Sequence, residues 1–160
     1  MQIRIRTSGA VVFDNEFRTY AQTQGAVFGT PLTEEFINQY GGDIVFEGPQ
    51  ATGGTVYQYS QRDGVEQLDG KWYTKHILGP VFTDGETTAA EQEAAYRAMK
   101  DAEQAKAVRT SRTQLLKDSD WTQIADSTAD KTAWATYRTA LRDVPAQAGF
   151  PWTVTWPDAP

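Results

Sequence analysis

Few side chains in this sequence have both the type and the spacing to do covalent or acid–base chemistry. The single histidine, His76, sits in the strand-like run WYTKHIL. A histidine-based metal site needs further ligands, and the sequence has no second histidine and no cysteine, so His76 reads as a structural or surface residue. Glu34 and Glu35 are adjacent carboxylates, but neighbours on a helix point in different directions; they read as a solvated face. The serine and threonine hydroxyls need an activating base, and none can be placed beside them. The run Gly48-Pro49-Gln50-Ala51-Thr52-Gly53-Gly54 lacks the lysine, the glycine spacing and the following apolar helix of a phosphate cradle; it reads as a loop between strands. The expectation is a non-enzyme with no catalytic residue, no cofactor and no metal. What remains is aromatic: Trp121, Trp134, Trp152 and Trp156, four of the five tryptophans, fall between Arg112 and Pro160. Aromatic surface on a short helix and an extended tail is equipment for binding.

The elements that must position those aromatics follow from the local sequence. Leu115 and Leu116 end a helical run, and Asp118-Ser119-Asp120 breaks it, because short polar side chains compete for the backbone. Trp121 and Ile124 follow in an irregular connection. Asp130 is set to cap a second helix over Lys131–Asp143. On it Trp134, Tyr137, Leu141 and Val144 fall at i, i+3, i+7 and i+10, one apolar stripe, with Lys131, Arg138 and Arg142 around it. Pro145 ends it. After Gly149 the period changes to two. Trp152, Val154 and Trp156 alternate with threonines, which predicts a short strand with one aromatic face. That face either packs on the chain's own Trp134 and Tyr137 or lies against a partner.

Asp120, Trp121, Trp134, Tyr137, Arg138, Leu141, Arg142, Asp143, Gln147, Phe150, Pro151, Val154, Trp156, Pro157 and Pro160 together form a pattern that resembles the C-terminal signature of bacteriophage tail-fibre assembly proteins, the tail-fibre chaperones. The resemblance implies a chaperone that binds a trimeric phage tail-fibre protein, without catalysis, in the host cytoplasm during assembly. The alternative is a permanent structural component of the tail, baseplate or fibre, retained in the virion. The residues expected to bind the partner are Trp134, Tyr137, Arg138, Arg142, Phe150, Trp152, Val154 and Trp156, since arginine and tryptophan are frequent interface anchors.

Composition narrows the classes further. With net charge −6 over 160 residues and neither half basic, the footprint of a nucleic-acid binder is missing. No run of about 18 apolar residues marks a membrane span, and MQIRIRTSG places charges where a signal peptide needs an apolar core. Thiol chemistry is excluded.

Upstream, Ile3 and Ile5 alternate with Arg4 and Arg6 as in a half-buried strand, and Ala10–Phe13 returns to form a hairpin. Glu16–Gln22 reads as one or two helical turns, and Gln22–Thr30 carries little signal. Thr33 caps a helix over Glu34–Tyr40, followed by a strand at Ile44–Glu47. Thr55–Ser60, Val65–Leu68 and Lys71–Leu78 read as strands separated by turns at Asp63-Gly64 and Asp69-Gly70, the last extended by Pro80–Phe82. Residues 1–86 are thus expected to be a small antiparallel α+β domain. Residues 87–118 open with the capping box Thr88–Glu91 and contain no proline or glycine, which predicts one long helix. Its stripe of Ala95, Ala98, Ala102 and Ala105 suits either a spacer or a self-association seam. Residues 119–160 complete the chain as a helical module with an extended aromatic tail.

Overall fold

Ile3 and Ile5 are buried while Arg4 between them is half-exposed, and this alternation fixes which face of the N-terminal sheet receives the helices. In the computed structural model, which describes residues 1–27 and 29–160, β1 (Gln2–Ile5) pairs antiparallel with β2 (Val11–Phe13) and with β3 (Gly42–Phe46). The edge hairpin is β4 (Tyr59–Leu68) and β5 (Lys71–Gly79), giving the order β2-β1-β3-β5-β4. Two short helices, α1 (Asp14–Thr23) and α2 (Glu34–Gln39), bury Phe17, Ala21, Phe36 and Ile37 against Ile3 and Ile5. Each large side chain so buried contributes about 1.5–3 kcal/mol. Gly42 makes the close fit possible: a Cβ there would lie 2.6 Å from the Phe17 ring and 2.7 Å from Ile37. On the opposite face the Arg4 guanidinium stacks 4.0 Å above the Trp72 ring and lies 3.4 Å from Asp43, an arrangement in which the arginine is held by a ring and a carboxylate at once. Phe28, within the stretch Gln22–Thr30 that carried little signal, lies outside the described residues.

The fold class is α+β, as predicted, with local differences. The sheet is mostly antiparallel, but β3 and β5 run parallel. The strand expected over Thr55–Ser60 begins only at Tyr59. Upstream of it, Gln58 N–H donates to Thr55 O (3.0 Å) and Thr55 N–H donates to the Gln58 side chain (3.1 Å), so a local turn wins over strand propensity. Asp63-Gly64 is not a turn between strands. Arg62 faces His76 and Val65 faces Thr74, so two residues oppose Lys75 alone. This is a bulge, with Gly64 at φ +78° and Asp63 paired to Lys75 at 3.2 Å. Asp69-Gly70 does form the expected tight hairpin, with φ of +48° and +77°, the backbone of a primed turn. The glycine loop closes onto β5: Gly48 N–H donates to Thr74 Oγ1 (2.8 Å), and a Cβ at Gly48 would meet Thr74 O at 2.0 Å. β5 stops at Gly79, before Pro80, so Pro80–Phe82 does not extend it.

The chain divides into two compact units, Met1–Val81 and Phe82–Pro160; the long helix and the C-terminal segment fall in the same unit. In the second, α3 (Ala89–Asp118) runs 30 residues without interruption, about 45 Å. Of the alanine stripe only Ala105 is buried. Ala95, Ala98 and Ala102 are exposed, and burial is confined to the C-terminal half at Ala105 and Val108. There the larger side chains of the following segments cover it. Helix α4 (Lys131–Asp143) is capped by Asp130, which accepts from the amides of Thr132 and Ala133 at 3.0 Å. Tyr137, Leu141 and Val144 of its stripe are buried and Trp134 is half-buried.

The capping box of α3 forms as read. Glu91 N–H donates to Thr88 Oγ1 (3.2 Å), and Glu91 Oε2 accepts from Thr88 N–H (2.9 Å). The backbone amide of Thr88, then its hydroxyl, hold the exposed Glu91 carboxyl below its ordinary 4.5. A depressed folded pKa means the box is complete above that ordinary value and is lost as pH falls through the lowered one. The Thr88 amide resonance is therefore expected to titrate with a midpoint below 4.5, and Glu91→Gln to abolish that titration. An unmoved Thr88 resonance across this range would contradict the box.

Candidate partner-binding surface

The C-terminal unit is organised around one buried cation. Arg138, on the α4 face beside Tyr137, is only 9% exposed. Its Nη1 donates to Leu116 O and to Ser119 Oγ, both at 2.7 Å, and its Nη2 donates to Asp120 Oδ1 at 2.7 Å. Leu116 O lies in the last turn of α3, where carbonyls have no helical partner. The planar fork of arginine matches three acceptors that a lysine would not reach together. Asp118-Ser119-Asp120, read as a helix breaker, thus also supplies the arginine's receptor. The connection expected to be irregular is a 3-10 turn, Asp120–Gln123.

That turn sets Trp121 beside α4. The rings of Trp121 and Trp134 are 6.0 Å apart, and Trp134 meets Tyr137 edge-on at 5.5 Å. The cluster is lopsided: Tyr137 is buried, whereas Trp121 is 54% and neighbouring Ile124 55% exposed.

The tail is extended but joins no strand, which corrects the expected strand over Trp152–Trp156. Its pairing partner is a side chain. Gln147 Nε2 donates to Thr155 O and Gln147 Oε1 accepts from Thr155 N–H, each at 2.8 Å. One glutamine thereby satisfies both backbone groups of Thr155, as a neighbouring strand would. A turn at Gly149, whose carbonyl accepts from Trp152 N–H (3.0 Å) and Thr153 N–H (2.7 Å), sends the chain back, with a cis peptide bond at Phe150–Pro151. The Trp152 indole N–H donates to Asp101 Oδ1 of α3 at 2.6 Å. Arg109 of α3 stacks 5.1 Å from the Phe150 ring. Trp152 and Val154 are half-buried and Thr153 and Thr155 exposed, so the period-two alternation is kept over these four residues without a sheet. Trp156 is 36% exposed and borders Leu115 and Gln114 of α3.

The residues picked from the sequence therefore occupy different stations. Tyr137 and Arg138 are interior, Trp134, Phe150, Trp152 and Val154 are half-buried, and Arg142 and Trp156 are exposed. Trp121 and Ile124 were not in that set, although both are more exposed than Trp156. Their signal was present: two large apolar residues in a segment too short to bury them.

Comparison with known proteins bears on this unit. Residues 105–160 match the family model of the phage tail assembly chaperone protein. The match starts inside α3 and covers the Arg138 receptor, the aromatic cluster and the whole tail, so for this segment the resemblance to phage tail assembly chaperones is shown. No curated protein and no solved structure matches the chain. In the N-terminal unit His76 Nε2 lies 3.2 Å from the Gln50 amide and 3.4 Å from Glu47. Among the described residues no three metal-ligating side chains gather, and no helix is long and apolar enough to cross a membrane.

Proposed function

We propose that the chain is a phage tail assembly chaperone whose client is a tail-fibre protein, trimeric in its assembled form. It acts by binding alone, without catalysis, in the host cytoplasm before the fibre joins the particle. The observation that carries this reading is the coincidence of the family match, residues 105–160, with the unit that leaves Trp121, Ile124 and Trp156 exposed. Exposed aromatics on a fixed framework are the usual source of binding energy at interfaces. The framework residues Tyr137, Arg138 and Trp152 hold that surface in shape; Trp156, Val154, Phe150, Trp134 and Arg142, with Trp121 and Ile124, meet the client.

Co-expression with a tail-fibre chain of the same phage tests this. The expected result is a soluble complex, weakened at least tenfold by Trp156→Ala with Trp121→Ala, while the variant keeps its helical content. An interface anchor truncated to alanine typically loses about 2 kcal/mol or more, which is more than tenfold. Full retention of the complex would overturn the assignment of the surface. No complex with the intact chain, and a fibre that is soluble alone, would overturn the function. Mass spectrometry of purified particles then separates a transient chaperone from a permanent tail component, the latter being present at fixed copy number.

A further inference from the structure

Between Glu103 and Asp118 the sequence holds no acidic residue and four basic ones, Lys106, Arg109, Arg112 and Lys117. This is a cationic stretch within a chain of net charge −6. Lys106, Arg109 and Lys117 share a face with Thr110 and Thr113, at the three- and four-residue spacing of one helical stripe. They line a shallow open depression of about 380 Å³. Thr110 and Thr113 donate their hydroxyls to the carbonyls of Lys106 and Arg109, at 2.9 and 2.8 Å, so the floor offers no free hydroxyl donor. A second depression, about 580 Å³, shares Thr110 and Gln114 with the first and is walled by Leu115 and Trp156. The two together make one groove along α3, cationic on one side and aromatic on the other.

The charges of this groove differ from those earlier in the same helix. Arg97 is paired with Glu93 at 2.6 Å and Lys100 with Glu103 at 2.9 Å. Among the described residues, Lys106, Arg109 and Lys117 have no carboxylate within ion-pair distance. Arg109 is stacked on Phe150, which fixes its position and leaves its charge uncompensated. Three unpaired cations held along about 16 Å of helix match an acidic segment of about five extended residues. Leu115 and Trp156 provide a seat for one large apolar side chain beside the acids. A nucleic acid is a poorer match, because three cations replace few counterions and the one aromatic side chain of the groove among the described residues gives no run of stacking faces for successive bases.

We infer that this groove binds an acidic peptide segment carrying one large apolar residue. Resting on the reading above, that segment belongs to the tail protein the chaperone holds.

The test uses the full chain and a fluorescein-labelled 12-residue peptide with glutamates and aspartates around a single leucine. Controls are its glutamine/asparagine twin, its alanine-for-leucine twin and a 12-nucleotide single strand. In anisotropy titrations the acidic peptide is expected to bind at least tenfold tighter than the neutral twin and to weaken as salt rises. The alanine twin is expected to lose several-fold. Lys106→Glu with Lys117→Glu should reduce acidic-peptide binding at least tenfold; this pair leaves the Arg109–Phe150 stack untouched, and unchanged circular dichroism verifies folding. Equal binding of the neutral twin, no effect of charge reversal, or tighter binding of the oligonucleotide would overturn the inference. The two readings fail separately. A charge-reversed chain that still captures the fibre overturns the groove as the client's seat and leaves the chaperone role standing. An intact chain that binds the peptide but no fibre does the reverse.

Discussion

Arg138→Ala is expected to destabilise the C-terminal unit by about 3 kcal/mol, read as a lowered urea midpoint of the tryptophan fluorescence transition. Four of the five tryptophans report on this unit, because only Trp72 lies outside it. The magnitude follows from what the change leaves behind. Leu116 O and Ser119 Oγ each lose a charged donor at 2.7 Å and keep only the Ser119 hydroxyl's own bonds to Leu116 O and Leu115 O; two buried hydrogen bonds to a charged group, at about 1.5–3 kcal/mol each at most, set the scale. Asp120, by contrast, has a side chain 65% exposed, so water takes over when the arginine goes. Asp120→Ala is accordingly expected to cost under about 1 kcal/mol, the range of exposed ion pairs. Arg138→Lys should recover little, since an ammonium is a point charge without the fork. If Asp120→Ala matched Arg138→Ala, the ion pair rather than the buried carbonyl and hydroxyl would be what stabilises the junction.

That contrast also marks what the sequence made legible. Helix ends were readable because caps are local: Thr33, Thr88 and Asp130 each accept the amides their position predicts. The Asp69-Gly70 hairpin was readable because its left-handed backbone restricts residue choice. Asp63-Gly64 carries the same dipeptide signal, yet became a bulge, because the strand partner β5 continues past it. Pairing of that kind is non-local and leaves no mark at the dipeptide. The alanine stripe of α3 marks a related limit: periodicity shows which residues share a face, not which part of a helix other segments cover. For the surface, residue types were legible but exposure was not. Arg138 and Trp156 looked alike as candidate contacts, and the fold buries the first while leaving the second 36% exposed. The role of Gln147 was hidden altogether, since nothing in a lone glutamine shows that it will take the place of a strand.

Trp152→Ala is expected to cost about 3 kcal/mol in the same unfolding experiment and to detach the tail from α3. Roughly 2 kcal/mol comes from the apolar area of a half-buried indole. The remainder comes from the 2.6 Å hydrogen bond to Asp101, whose charged acceptor places it at about 1.5 kcal/mol or more. Trp152→Phe keeps most of the area and removes the donor, so it should lose only that second part. A double-mutant cycle with Asp101→Ala isolates the bond: if the indole and the carboxylate act on each other, the double variant is less destabilised than the two single losses added. The consequence for function runs through position. Trp156 is four residues beyond Trp152, and Gln147 grips Thr155 between them, so the tail is held at two points on either side of Val154. With Trp152→Phe the Gln147 grip persists, and client binding should fall only a few-fold; with Trp152→Ala it should fall as far as with Trp156→Ala. Strict additivity in the cycle, with little loss in either single variant, would show that the indole–carboxylate bond does not fix the tail. Trp156 would then owe its place beside α3 to Gln147 alone, and Gln147→Ala would become the variant that abolishes binding.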